Sequence, residues 1–204
     1  MLSNVLYFTK IYSYREENMK KLLTLITLLV LCSTVMASNP QVIIKTNLGD
    51  MTLELNEEKA PITVKNFLEY VKKGHYKQTV FHRVIDSFMI QGGGFDKDLK
   101  EKTTGAPIKN EAANGLKNEV GTVAMARTSN VDSATAQFFI NVADNGALDH
   151  RDDTESGMGY AVFGKITSGM PIVNKIKAVK TGNRGPLSDV PLEAVVILDI
   201  SKKK

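Results

Sequence analysis

Val80-Phe81-His82-Arg83-Val84-Ile85, then Phe88-Met89-Ile90-Gln91 and the triplet Gly92-Gly93-Gly94, form the stretch on which the reading of this chain turns. Both are short apolar runs of the kind that read as strands, separated from their neighbours by glycine- and Asn/Asp-rich loops. Strand alternation puts Arg83 on one face with Phe81 and Ile85. A guanidinium there must find partners, because an unpaired buried charge is costly. An ion pair, or a stem laid over apolar surface, would satisfy it without any function. The glycine triplet reads as a flexible bend. A phosphate loop is excluded, since no Lys-Ser/Thr follows and no helix pattern opens there.

Working outward, Val42–Thr46 and Met51–Leu55 flank Asn47-Leu48-Gly49-Asp50, the pattern of a β-hairpin. Residues 60–73 read as a helix. Pro61 suits its first turn, Gly74 its stop, and Val64, Phe67, Leu68 and Val71 recur at helical spacing. Further short apolar runs follow at residues 121–126, 137–142, 160–166 and 194–200, with a second, shorter helix around residues 171–176. Eight strands and two helices without βαβ alternation argue for an antiparallel sheet. Eight strands is also a number at which a sheet closes on a filled interior. The expected class is mainly β: a closed eight-stranded antiparallel β-barrel capped by two α-helices.

The N-terminus reads differently. Met19-Lys20-Lys21 is a short positive region, Leu22–Leu31 is apolar but for two threonines, and Ser33–Ala37 is small-residued. This is the pattern of a secretory signal peptide over 19–37, cleaved after Ala37 and too short to span a bilayer comfortably. Residues 1–18 then read as an upstream extension ahead of a true start at Met19, and residues 38–204 as one domain. A lipid anchor on Cys32 is disfavoured by the bulk of Leu31. Cys32 is the chain's single cysteine, so the cleaved domain has neither disulfide nor thiol chemistry. The three histidines lack metal-ligand spacing. The net charge of +4 falls to 22 basic against 20 acidic residues once residues 1–37 are set aside, too weak for a nucleic-acid footprint.

The motifs of the opening stretch resemble the signature of the cyclophilin family of peptidyl-prolyl cis-trans isomerases. Gly121–Ala126, Ser133–Ile140 with Gln137-Phe138-Phe139-Ile140, Leu148-Asp149 and Val162-Phe163-Gly164-Lys165 are similar to the family's remaining blocks and stand in its order. The likeness is nearest to the compact cyclophilins of bacterial periplasms. It implies a shallow groove on the outer surface of the barrel, with Arg83 as the catalytic residue. Phe88, Met89, Phe139 and Leu148 would hold the proline ring, and Gln91 would bond the substrate backbone. The backbone of Ala126 and Arg127 would line the rim, with Tyr160 beside it, and His82 and Gln137 in support. Phe138, adjacent to Phe139 in a strand, must face the other way, into the core.

No cofactor is expected, and nothing in the sequence suggests more than a monomer. With the leader removed and no stable membrane insertion, the expected clients are proline-containing, unfolded or partly folded exported polypeptides met in the periplasm. The sequence departs from the family at four points. Ala147 stands where the family often has tryptophan, which weakens the expectation of cyclosporin binding. Tyr160 and Arg127 stand where histidine and asparagine are common outside the bacterial branch. Residues 145–159 form a longer, more polar excursion than the usual turn. A non-catalytic proline-binding module on the same fold is the alternative.

Overall fold

The computed structural model describes residues 14–21 and 39–203. Residues 14–21 are helical and exposed, in a unit spanning Met1–Ser38 that is distinct from the unit Asn39–Lys204. The leader expectation falls outside the described residues except for 19–21. No described helix is long and apolar enough to cross a membrane.

Within the second unit the expected barrel is present. Its strands are β1 (Gln41–Thr46), β2 (Gly49–Leu55), β3 (Thr79–Ile85), β4 (Met89–Asp96), β5 (Thr122–Met125), β6 (Phe138–Asn141), β7 (Val162–Ser168) and, last in the chain, β10 (Val196–Lys202). They close in the order β1-β10-β3-β4-β6-β5-β7-β2, every pairing antiparallel. Alternation fills the interior with Val42, Ile44, Leu53, Leu55, Val123 and Ile140, all fully buried. Closure leaves no barrel strand with an unpaired edge.

Two helices cap this core. Helix α1 (Pro61–Lys72) buries Thr63, Val64, Phe67 and Tyr70 along one face. Phe67 sits 5.2 Å from the rings of both Tyr76 and Phe163 and 5.8 Å from Phe138. Ala60 offers no side-chain cap, and Glu111 takes that role from a distant loop, accepting from the Ile62 and Thr63 amides at 3.0 and 2.8 Å. A carboxylate there also complements the helix dipole. Helix α2 (Met170–Lys177) buries Val173 and Ile176 in the same core.

Two features depart from the sequence expectation. Between the pairs Phe81↔Gly92 and Arg83↔Gln91, β3 advances two residues and β4 only one. His82 is therefore the extra residue of a β-bulge, and the parity of β3 reverses across it. Phe81 and Val84 point into the core, while Arg83 shares the outer face with Ile85, not with Phe81. The glycine triplet is not a bend after the strand either: it lies inside β4, opposite a second irregularity between Thr79 and Phe81. The other departure is a ribbon outside the barrel, β8 (Thr181–Arg184) with β9 (Leu187–Pro191), which lies against β3.

Candidate active site

The outer face of the barrel carries a second apolar cluster, separate from the core. Met89, Ala124, Phe139 and Val162 are buried in it, and Ile85, Phe88, Leu116, Ala126, Leu148 and Tyr160 pack around them. An apolar cluster on the outside of a filled barrel has no packing duty toward the interior. Its arrangement follows from register. Arg83 pairs with Gln91, Gln91 with Phe139, Phe139 with Ala124, and Ala124 with Val162. These five residues form one transverse row across β3, β4, β6, β5 and β7. At a strand spacing of about 4.8 Å, Arg83 and Phe139 stand two strands, or about 10 Å, apart at their backbones. The row thus offers a cation, an amide and an apolar floor in sequence.

Arg83 is half-exposed, its Nε 3.8 Å from Oδ2 of Asp189 on β9. The contact is an ion pair beyond hydrogen-bond length. It approaches the guanidinium at Nε, on the side facing the ribbon. Gln91 Nε2 donates to Gln137 Oε1 at 2.9 Å, which fixes both amides. Gly94 is a glycine because the Gln137 side chain lies across it: a Cβ there would come within 2.5 Å of Gln137 Cγ and Cδ.

His82 is 5% exposed, with the Phe95 ring 4.6 Å from its own. Burial holds its pKa down to about 4, opposed by the nearby Val80 backbone and aided by the charge of Arg83. The imidazole is therefore neutral behind Arg83 at ordinary pH. It lies on the bulge beside Arg83, packed on Phe95 and outside the apolar cluster.

The apolar wall is tied down by polar contacts. Phe88 carbonyl oxygen accepts from the Val142 amide at 3.1 Å and from Asn145 Nδ2 at 2.8 Å. Leu148 ends a 3₁₀ turn, Gly146–Leu148, and its carbonyl accepts from the Tyr160 amide at 2.9 Å. Asp149 accepts from the Asn118 amide at 2.8 Å, anchoring the other side of that turn. Ala126 donates its amide to Gln137 oxygen at 3.0 Å. Ala147 is exposed beside Leu148.

The row and cluster thus bring together Arg83, Gln91, Phe139, Met89, Phe88, Ala126, Leu148 and Tyr160, with Gln137 bonded to Gln91 and Arg127 stacked on Tyr160. His82 lies outside the cluster, and Phe138 is fully buried in the core as expected. Two participants were missed. Asp189 sits on a polar ribbon with no hydrophobic alternation to announce it. The Arg127 side chain was passed over for its backbone, yet its guanidinium lies 4.7 Å above the Tyr160 ring. A cation directly after the apolar run Gly121–Ala126 was the available signal. A separate cavity of about 910 Å³, between α1 and β10, shares no residue with the row or the cluster. Among the described residues no group of acidic, histidine or cysteine side chains is spaced to hold a metal ion.

Comparison with known proteins points the same way. Residues 41–202 match the family model described as cyclophilin type peptidyl-prolyl cis-trans isomerase/CLD. The chain is 58% identical over 154 residues to peptidyl-prolyl cis-trans isomerase cyp18 of Streptomyces antibioticus, covering 76% of this chain and 93% of that protein. It is 54% identical over 156 residues to peptidyl-prolyl cis-trans isomerase B of Escherichia coli, covering 76% and 95%. Among solved structures, a Cryptosporidium parvum cyclophilin-type isomerase, crystallised in the presence of the dipeptide Ala-Pro, superposes with a TM-score of 0.66 at 29% identity. That match covers 80% of this chain and 99% of the other.

Proposed function

This chain belongs to the cyclophilin-type peptidyl-prolyl cis-trans isomerases, and on that premise we propose that it turns X–Pro bonds of exported polypeptides in the outer groove, with Arg83 as the catalytic residue. The enzyme class sets a modest energetic demand. An X–Pro amide isomerises in roughly tens to hundreds of seconds because C–N resonance must be lost. Reaching about 10–1000 turnovers per second needs a barrier lowered by roughly 4–7 kcal/mol. No bond is made or cleaved, so no nucleophile or general base is required.

The twisted amide localises a lone pair on the proline nitrogen. A fixed cationic donor stabilises that state more than either planar isomer, which is the differential binding catalysis requires. Arg83 is suited to it, since Asp189 lies at Nε and the terminal amines of the fork can face the groove. One charge-assisted hydrogen bond contributes roughly 1.5–3 kcal/mol, so the arginine accounts for part of the effect. Holding the proline ring still while the preceding carbonyl swings contributes the rest. Phe139 and Met89 would form the floor of that pocket, Phe88 and Leu148 its sides. Gln91, oriented by Gln137, and the backbone at Ala126 and Arg127 would hold the peptide. The observation that carries this reading is the transverse row that sets Arg83 and Gln91 beside Phe139.

Export rests on the leader pattern at 19–37 and on the thiol-free domain after it. The periplasm is the compartment this fits, with the domain acting as a monomer on proline-limited folding. Titrating an Ala-Pro-containing peptide into the isotopically labelled protein tests the placement. Shifts centred on Phe139, Met89 and Ala124 are expected. Shifts centred on the cavity between α1 and β10, with the row silent, would refute the groove.

A further inference from the structure

The groove wall near Leu148 is built from parts that lie far apart in sequence, and one side chain joins them. Tyr160, partly exposed, meets the buried Phe139 edge-on, with centroids 5.7 Å apart at 77°. Its other neighbour is Arg127, whose guanidinium stands 4.7 Å from the ring centroid. That guanidinium is held by four carbonyls. Nε donates to Gly159 at 3.0 Å, one terminal nitrogen to Thr128 and Ser129 at 2.9 and 3.2 Å, and the other to Glu155 at 3.3 Å. The acceptors belong to two segments, the turn after β5 and the polar excursion that begins at Asn145. Asn110 Nδ2 also bonds the Gly159 oxygen, at 3.1 Å. Gly159 has φ +78°, and a Cβ there would come within 2.6 Å of the Leu148 oxygen, so the excursion is folded tightly back onto the groove turn.

The arrangement needs a planar fork. A lysine has one point of charge and could not reach both segments while stacking on the ring. Ala147 provides no large side chain at this part of the wall, so the Phe139–Tyr160 pair supplies the aromatic surface there. We propose that Arg127 is a positioning residue: its guanidinium braces Tyr160 against Phe139 and thereby sets how tightly the proline ring is held. The inference rests on the groove being the proline site. Arg127 does not touch the rotating bond. Its loss loosens the wall, so it acts on binding and not on the stabilisation that Arg83 supplies.

The test measures KM and kcat separately for an Ala-Pro-containing peptide, with Arg83→Ala measured alongside. Arg127→Ala should raise KM five- to tenfold, with kcat changed less than twofold and Tyr160 ring resonances displaced. Arg127→Lys should recover only part of the KM effect. Tyr160→Ala should raise KM similarly, and the double variant no further than Tyr160→Ala alone. Unchanged KM in Arg127→Ala, a loss confined to kcat, or additive effects in the double variant would overturn the proposal. Should Arg127→Ala melt the excursion, the Tyr160→Ala comparison still decides, because an unchanged KM there removes the wall from binding. Full turnover in a folded Arg83→Ala would instead count against the groove reading, leaving the two failures distinguishable.

Discussion

His82 shows how a single buried side chain makes the stability of this molecule depend on pH. Burial lowers its pKa from the ordinary 6.5 to about 4. As pH falls below 6.5 the unfolded chain takes up the proton first, and the folded chain follows only near 4. Stability from this group is therefore complete above pH 6.5, declines between 6.5 and 4, and is level below. The loss across that window is roughly 3 kcal/mol. Urea unfolding at a series of pH values should show the decline in the wild type and a shallower one in His82→Gln. His75, lowered by the same cause, leaves a residual slope of the same sign. Identical pH dependence in the two proteins would show that His82 is protonated equally in both states. At this scale the sequence was informative about identities and silent about partners. Arg83, Met89, Gln91 and Phe139 stood in a motif that named them. Asp189 and the fork of Arg127 act through contacts 106 and up to 33 positions away, and no local pattern encodes those.

At the level of elements, the eight barrel strands and both helices were legible because each has to bury one face, and burial writes a period into the sequence. The bulge at His82 was not legible. It changes which residues share a face without changing composition, so plain alternation placed Arg83 with both Phe81 and Ile85, and the structure keeps only Ile85 beside it. The β8–β9 ribbon was missed because it is polar and mostly exposed, with nothing to bury until Val190 and Pro191.

Two adjacent glycines of β4 should behave differently. Gly93 has φ +87°, and a Cβ would come within 2.9 Å of Tyr76 and 3.1 Å of Phe138, both in the core. Gly93→Ala should destabilise by about 2 kcal/mol or more, read as a lower denaturant midpoint. Gly94 has no positive φ, and the atoms nearest its Cβ would all belong to the Gln137 side chain, which would have to swing away from Cγ outward. Gly94→Ala should cost less than about 1 kcal/mol, yet lower kcat/KM at least about threefold by releasing Gln91 from Gln137. A Gly94→Ala protein with full activity would remove the Gln91–Gln137 bond from the account.

For the whole molecule, closure of the barrel explains how a second apolar cluster can sit on its outer face without weakening the fold. The interior is filled by its own cluster, and the outer cluster, with Met89, Ala124, Phe139 and Val162 buried in it and Phe88, Leu148 and Tyr160 partly exposed around them, is separate from it. The leader reading predicts that protein recovered from the cell envelope begins at Ser38, which intact mass and N-terminal sequencing would establish. Full-length chain in that fraction would contradict processing after Ala37.

The account stands or falls on Arg83 working in that groove. The most direct measurement is the cis-to-trans rate of an X–Pro peptide with the wild-type protein and with Arg83→Ala, each checked for an unchanged unfolding midpoint. The account predicts strong acceleration by the wild type, reduced by at least about tenfold in the variant, equivalent to the loss of about 1.4 kcal/mol or more of transition-state stabilisation. A folded Arg83→Ala protein that turns over peptide at the wild-type rate would contradict it.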